Sequence, residues 1–509
     1  MAIRSLFSWL SEKARKHAKE GKGKMRTNTR KFRLALTALT LVALLLAVFG
    51  AVPAWAATPI YVRTGGDDAN CNGTADVDYS PGVAPNCAVA TIKKGVELVD
   101  PAGTVYVAGG TYDEMVTISK AVTLRGANWG VHPAVGTHPT EVVGTRGSET
   151  ILSHNYYAIE PAADNITING FKFTGAGGRI IDTYANANGF HLTNCIFENP
   201  ARAVTQGVIQ FGGGSHVDML IDYNLFQDQG DHTLYFGGGP YDDLHIAYNK
   251  FNGLGDGVFW AATPLVDGVV EGNEFDGTIG VTPGQGGTGM NRGEGGNIII
   301  RDNWFHDMLY TGFQVGIVGG SVTDNTFEDT HPLLDDTTWY PSSAFELWGG
   351  EWGTSVSTNV TITGNTIRFN DQSNNADEHG IRLRTGADAP NIHVNCNNFI
   401  DGGVSTTALA VRNQGTGILD AEHNWWGDPS GPGPVGPGTG GKVSDNVEFD
   451  PWLPDLFQYC PVCGGTPRPV PVGGVMVPVN KVELLAPWMG LAALMVAAVA
   501  AVVVRRRMA

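Results

Sequence analysis

One short pattern recurs through the middle of this chain and constrains its fold more than any other feature. Two alternating apolar residues are followed by two small or polar residues, then Asn, any residue, and an aromatic. It appears as LIDYNLF (Asn224), LHIAYNKF (Asn249), VVEGNEF (Asn273), IIIRDNWF (Asn303), SVTDNTF (Asn325), VTITGNTI (Asn365), IHVNCNNF (Asn397) and DAEHNWW (Asn424). Earlier, HLTNCIF places Cys195 in the Asn slot and ITINGFKF places Phe171 there. Most slots lie 22 to 32 residues apart, a period of repeat architectures. A second alternating segment follows in most periods: GVIQF from Gly207, TLYFGG from Thr233, GVFW from Gly257, GFQVG from Gly312, AFELWG from Ala344, GIRLR from Gly380 and ALAVR from Ala408.

Two or three short strands per period, with Gly and Asn at the corners, describe coils stacked along one axis, each strand paired with its equivalent in the next coil. Propellers need longer periods with four strands, and leucine-rich repeats need a leucine scaffold that is absent. The chain is therefore expected to be all-β, a parallel β-helix solenoid. At about 4.8 Å per coil the slot asparagines stack, so each amide can bond to the next. The phenylalanines two places on, such as Phe226, Phe251, Phe275 and Phe305, line up inside. A solenoid must also hide its ends, and ATIKKGVELV from Ala90 to Val99 reads as an amphipathic helix over the first coil.

The flanks carry a different chemistry. Residues 1–56 read as an export signal: a basic stretch, the apolar run Leu34 to Val52, and small residues at Ala54 and Ala56. Met25 offers an alternative start that leaves an ordinary signal. Leu484 to Val504 is a 21-residue run without a charge, followed by Arg505, Arg506 and Arg507. Such a helix spans about 30 Å, enough to cross a bilayer, and the arginines hold its end in the cytoplasm. The expected organisation is signal 1–56, β-helix 57–453, Pro- and Gly-rich stalk 454–483, membrane helix 484–504 and basic tail 505–509, with the ectodomain at the cell surface. The tail resembles C-terminal sorting signals of bacterial and archaeal surface proteins, though no LPXTG precedes it. Between the flanks, residues 57–480 hold 18 Lys plus Arg against 47 Asp plus Glu, a formal net charge of −29. That charge argues against nucleic acid and bare anionic polymers as partners unless a divalent cation bridges them. Neutral glycans, proteins and Ca²⁺ remain open, and the expected partners are extracellular polysaccharide or other surface components.

An outside location permits disulfides. Cys71 and Cys87 share one polar loop and are a candidate pair, as are Cys460 and Cys463. Cys195 and Cys396 sit about eight coils apart, beyond disulfide reach, and both are expected to be free and buried. Around Cys71, Asp67, Asp68, Asp76 and Asp78 form an acidic loop that reads either as a solvated surface or as a weak Ca²⁺ site without EF-hand spacing.

Alternation in the second strand places Ile209, Leu234, Val258, Phe313, Phe345, Ile381 and Leu409 inward. It turns Gln210, Tyr235, Phe259, Gln314, Glu346, Arg382 and Ala410 outward, with Trp348 and Arg384 two places on. This face carries the candidate catalytic set Glu346, His379, Arg382 and Arg384: carboxylate for hydrolysis, or base and uronate-neutralising cation for elimination. A cross-strand ion pair is the plainer reading. The longest period, 40 residues from Asn325 to Asn365, carries Trp339, Tyr340, Trp348 and Trp352. With Tyr235 and Phe259 these are the candidate sugar-binding aromatics, because pyranose faces stack on rings.

The opening IYVRTGGDDANCNG, with CAVATIKKGVELV, GGTYDE and VTLRG after it, resembles the entry to right-handed parallel β-helix proteins of the pectin-lyase-like fold. The closing HNWWGDPSGPGP and DPWL resemble the end of bacterial surface β-helix proteins with an NWWG, GP and PWL pattern. The resemblance covers about residues 59 to 455 and implies that Gly427 to Leu453 folds back as a C-terminal cap. It also implies that pectate lyases, polygalacturonases, pectin esterases and alginate epimerases are structural relatives. None of their full catalytic signatures is present, and HGIRLR shares only a fragment of one. The leading expectation is a binding or structural surface module, with a polysaccharide lyase, glycoside hydrolase or epimerase as the alternative.

Overall fold

The computed structural model describes residues 58–456 except 134–144, 155–156, 175–178, 199–207, 228–231, 238, 240, 253–256, 262–264, 278–287, 308–310, 329–342, 351–354, 370–378 and 401–408. The side chains of 232, 257–261 and 288–295 are likewise outside the description. The expected signal, membrane helix and Cys460–Cys463 pair fall outside it. Among the described residues no helix is long and apolar enough to cross a membrane.

The strands pair in parallel and, apart from Pro432–Pro434 with Gly440–Val443 near the C-terminal end, each joins its equivalent one period later, as Ile209–Phe211 joins His232–Phe236 and Phe226 pairs with Phe251. The pairings form one sheet of 26 strands, holding two of the three strand stacks, and a second sheet of 11. This is a parallel β-helix, the fold implied by the resemblance to pectin-lyase-like proteins.

The corner between the second and third stacks shows why the repeat has its form. In each period the residue before the slot lies in the left-handed region: Asn194, Tyr223, Tyr248, Asp302, Asp324, Cys396 and His423 at φ 54–60°, and glycine at Gly170, Gly272 and Gly364. That residue reverses the chain in two steps, and its neighbour's side chain then points into the coil. From Asn224 to Asn424 each Asn Nδ2 donates to the Oδ1 of the next slot at 2.9–3.1 Å, and that Oδ1 also accepts the backbone N–H of the preceding slot at 2.8–3.0 Å. The second amide hydrogen goes to a strand carbonyl of the previous coil, as from Asn303 to Val270 at 2.9 Å. Cys195 begins the row: its backbone N–H donates to Asn224 Oδ1, while its thiol lies 3.2 Å from the Thr193 carbonyl.

Behind this ladder Phe173, Phe197, Phe226, Phe251, Phe275, Phe305 and Phe327 stack with centroids 4.4–5.1 Å apart. Ile367 interrupts the column, which resumes with Phe399 on Trp426 at 4.9 Å. Past the last slot, Leu453 N–H donates to the Asn424 carbonyl and the Trp452 indole to the Pro429 carbonyl. At the other end helix α1, Ile92–Leu98, has Thr91 as its N-cap, and Glu114 accepts the Ile92 and Lys93 amides.

Cys71 and Cys87 form a disulfide with Cα atoms 5.0 Å apart. Cys195 is free and fully buried. Cys396 corrects the sequence expectation: it is buried but disulfide-bonded. Cys71, Cys87 and Cys195 are accounted for, so its partner lies outside the described residues. The coil spacing excluded only a bond to Cys195.

Asn303→Ala removes a donor from the Val270 carbonyl and an acceptor from both the backbone and the amide of Asn273. Buried groups left unpaired cost about 1–3 kcal/mol each, so the substitution is expected to destabilise by about 3 kcal/mol in chemical denaturation. Exposed Thr361→Ala should stay within about 0.5 kcal/mol. Burial pushes the Cys195 thiol up to about 12, and the thiolate is the reacting species. Mass spectrometry after brief alkylation at pH 8 should find Cys195 unmodified in the native protein and modified in denaturant.

Candidate functional site

The outward row of the first strand stack runs through Asp182, Gln210, Tyr235, Gln314, Glu346, Arg382 and Arg412, and backbone register aligns Trp260 and Asn291 with it, one residue per coil. Two expected positions shift. Phe259 pairs with Leu234 in the inward register, which puts Trp260 beside Tyr235. Arg382 is paired with Arg412, while Ala410 is buried. In both cases the sequence alignment counted from the Gly or Ala that opens the segment. A one-residue slip exchanges the two faces of a strand, and a two-residue slip keeps the face but changes the neighbour. Aligning the Arg of IRL with the Arg of VRN gives the observed register and adds Arg412 to the row.

Three coils bring the candidate catalytic set together. Glu346 sits on strand Ser343–Leu347, His379 and Arg382 on His379–Leu383 with Arg384 just beyond, and Arg412 on Leu409–Asn413. Glu346 is 2% exposed and accepts from Arg382 Nη1 on Oε1 at 2.9 Å and from Arg384 Nη1 on Oε2 at 3.0 Å. Ser343 Oγ adds a third hydrogen bond to Oε1 at 3.0 Å. Arg382 Nε reaches Gln414 Oε1 at 2.9 Å, and Arg412 Nη1 lies 2.7 Å from His379 Nε2. A guanidinium only donates, so that imidazole nitrogen accepts, and the Leu409 backbone N–H approaches Nδ1 at 3.3 Å from the other side of the ring. His379 is 2% exposed and Arg382 9%, whereas Arg384 and Arg412 are half-buried.

This geometry favours some chemistries over others. Both Glu346 oxygens already accept guanidinium protons, so the carboxylate anchors the arginines instead of facing a substrate. Paired-carboxylate hydrolysis needs two carboxyl groups about 5–9.5 Å apart across the scissile bond, and Glu346 is the carboxylate of this cluster among the described residues. Like charges on adjacent strands repel, and the Arg382–Arg412 neighbours are held by Glu346 on one side and the His379 lone pair on the other. The result is three guanidiniums and an imidazole converging on one outward surface.

The aromatic candidates separate. Trp348 is 2% exposed, with the Arg384 guanidinium 5.9 Å from its ring centroid and its indole Nε1 unpartnered; it backs the cluster and presents no open platform. Tyr235 is half-buried on the row. Trp339, Tyr340 and Trp352 lie outside the described residues, and Phe259 is placed by register alone.

In the acidic loop each carboxylate has a protein partner. Asp67 accepts the Ala69 and Asn70 amides, Asp68 accepts from Ala90, Thr91 and the Thr91 hydroxyl, and Asp76 and Asp78 both pair with Arg63 at 2.9 and 2.7 Å. Asp68 thereby fastens the loop to the N-cap of α1. Hydrogen bonds from the Asn70 side chain and the Ala69 amide hold the Asp67 carboxyl below its ordinary range.

No protein-family model matches the sequence, and none of the curated proteins matches it. Solved structures similar to the chain include an alginate lyase from Paenibacillus sp., at 13% identity and TM-score 0.39 over 64% of this chain and 95% of that one. A lacto-N-biosidase from Eubacterium ramulus is 10% identical with TM-score 0.36 over 77% and 67% of the two chains. An alpha-1,3-glucanase from Streptomyces thermodiastaticus is 12% identical with TM-score 0.38 over 74% and 67%. These likenesses are distant, and the fold rests on the strand pairings themselves.

Proposed function

We propose that the protein is an exported, surface-anchored β-helix that binds an acidic glycan on its outward row, through the guanidiniums of Arg382, Arg384 and Arg412. One observation carries this reading: within an ectodomain of net charge −29, three arginines on two neighbouring coils share one outward row, Arg382 and Arg384 clamped by Glu346 and Arg412 beside His379. Arginine's planar fork suits bidentate recognition of a carboxylate or sulfate. Repulsion by the distant acidic surface is screened beyond about 8 Å at physiological salt, so a short acidic oligosaccharide fits this site better than a long polyanion. The charge expectation drawn from composition is thus modified locally.

A second reading has its own support. His379 and Arg412 stand side by side, the two residue types that β-elimination needs: a base for the proton next to a uronate and a cation for its carboxylate, the imidazole being released when the uronate draws the Arg412 guanidinium to itself. Turnover would release a chain end with an unsaturated sugar. Binding of uronate oligosaccharides to the purified protein should weaken at least tenfold, about 1.4 kcal/mol, in Arg382→Ala and Arg412→Ala, and remain unchanged in Lys93→Ala. Equal affinity in all of these would overturn the site. An ultraviolet-absorbing unsaturated product that disappears in His379→Ala would establish the lyase.

Export is supported by the Cys71–Cys87 disulfide, which belongs to an oxidising compartment, and anchoring by the apolar run 484–504 with its three arginines. Protease added to intact cells should digest the ectodomain and leave a membrane-protected C-terminal fragment. An undigested chain would overturn the topology.

A further inference from the structure

The third strand stack carries a second polar cluster on its outer face, on the 11-stranded sheet and apart from the arginine row. Three adjacent coils supply it: strand Lys250–Asn252, then Glu274–Asp276, then Trp304–His306. The register aligns Lys250 with Glu274 and Asn252 with Asp276, and Asp276 in turn with His306. Glu274, Asp276 and His306 are all buried, and one ligand atom from each lies within 4.8 Å of the others.

The details point beyond an ordinary ion pair. His306 Nδ1 is held by Asp307 Oδ2 at 2.7 Å, so its Nε2 faces inward, 3.2 Å from Glu274 Oε1. A carboxylate on the far nitrogen is the arrangement that orients a metal-ligating histidine. Two acceptor oxygens on neighbouring coils, Glu274 Oε2 and Asn252 Oδ1, are buried without a hydrogen-bond partner. Rotating an amide can supply Asn252 with a donor, but Glu274 can only accept when ionised. Lys250 Nζ lies 2.6 Å from Glu274 Oε1 and 3.9 Å from Asp276 Oδ2, so it satisfies one Glu274 oxygen and leaves the other.

We propose that Glu274, Asp276 and His306 Nε2, with Asn252 Oδ1 as fourth donor, form a divalent transition-metal site that staples three successive coils. The imidazole nitrogen among oxygen donors suits Zn²⁺ or Mn²⁺ better than Ca²⁺ or Mg²⁺, which take oxygen ligands. The metal takes Glu274 through Oε2, and Lys250 is its competitor, holding the two carboxylates when no ion is bound.

The test is calorimetric titration of the chelator-treated, intact protein with Zn²⁺ and with Mn²⁺, alongside thermal unfolding. One saturable equivalent that raises the melting temperature is expected, weakened at least tenfold in His306→Ala and strengthened at least tenfold in Lys250→Met. Should His306→Ala fail to fold, Asp276→Asn carries the same expectation. Absence of saturable binding in both the wild type and Lys250→Met overturns the site. So does binding that His306→Ala or Asp276→Asn leaves unchanged, because the metal then resides elsewhere.

Discussion

The row of buried asparagines is the interaction on which the rest of this structure depends. Each turn between the second and third strand stacks exposes a backbone N–H to the interior, where water is excluded and an unpaired donor is costly. One side chain per coil solves this by accepting from the preceding slot and donating to both the next slot and an earlier strand. Because every amide bonds to equivalents one coil away, the row fixes the spacing and the lateral register of all three stacks together. The left-handed residue before each slot is the backbone condition for that geometry. Asn and Asp, or glycine, meet it readily, yet Tyr223, Tyr248 and Cys396 also adopt it, so the ladder's hydrogen bonds outweigh the steric preference there.

With the register pinned, the outer faces become rows in which residues distant in sequence stand about 4.8 Å apart. Polar groups placed there meet only their neighbours in the next coils. The Glu346 and Glu274 clusters are both made this way, one from arginines and the other from a lysine, an imidazole and a second carboxylate. Their partners differ in consequence. Guanidiniums occupy both oxygens of Glu346 and leave cationic surface directed outward, which favours an anionic ligand. A single ammonium occupies one oxygen of Glu274 and leaves a buried acceptor, which favours a cation. Two acidic residues of the same type on the same solenoid thus acquire opposite preferences from the residue one coil away.

The fold was legible because its cause is local and repeated. Asn at 22- to 32-residue intervals, an aromatic two places on and alternating strands between them left the parallel β-helix as the architecture that satisfied all three. The Phe column and the asparagine contacts followed from the same spacing. Legibility weakened where the repeat is irregular. Segments of unequal length leave the starting residue of each strand ambiguous, which moved Phe259 to the inward register and paired Arg382 with Arg412. Trp348 read as an exposed ring because it sits in the longest period, yet it is buried beneath Arg384. The cluster of Glu274, Asp276 and His306 is not legible from the repeat, because its residues flank the Asn and Phe positions that define the pattern and vary from coil to coil. Aligning the residues that flank each slot would have placed Asp276 against His306.

The sequence alone determined the stacking: which residues lie at the ladder, which phenylalanines stand behind it, and that the structure rises coil by coil, because these follow from a period written many times over. It also determined that the cysteines at 195 and 396 could not bond to each other, since distance along a solenoid is a count of coils. Tertiary structure alone decided what the outward side chains do. Whether a carboxylate is clamped, paired on one side or capping a helix depends on which side chain of the adjacent coil reaches it. That choice is set by angstrom-scale register and rotamer geometry that no single repeat encodes.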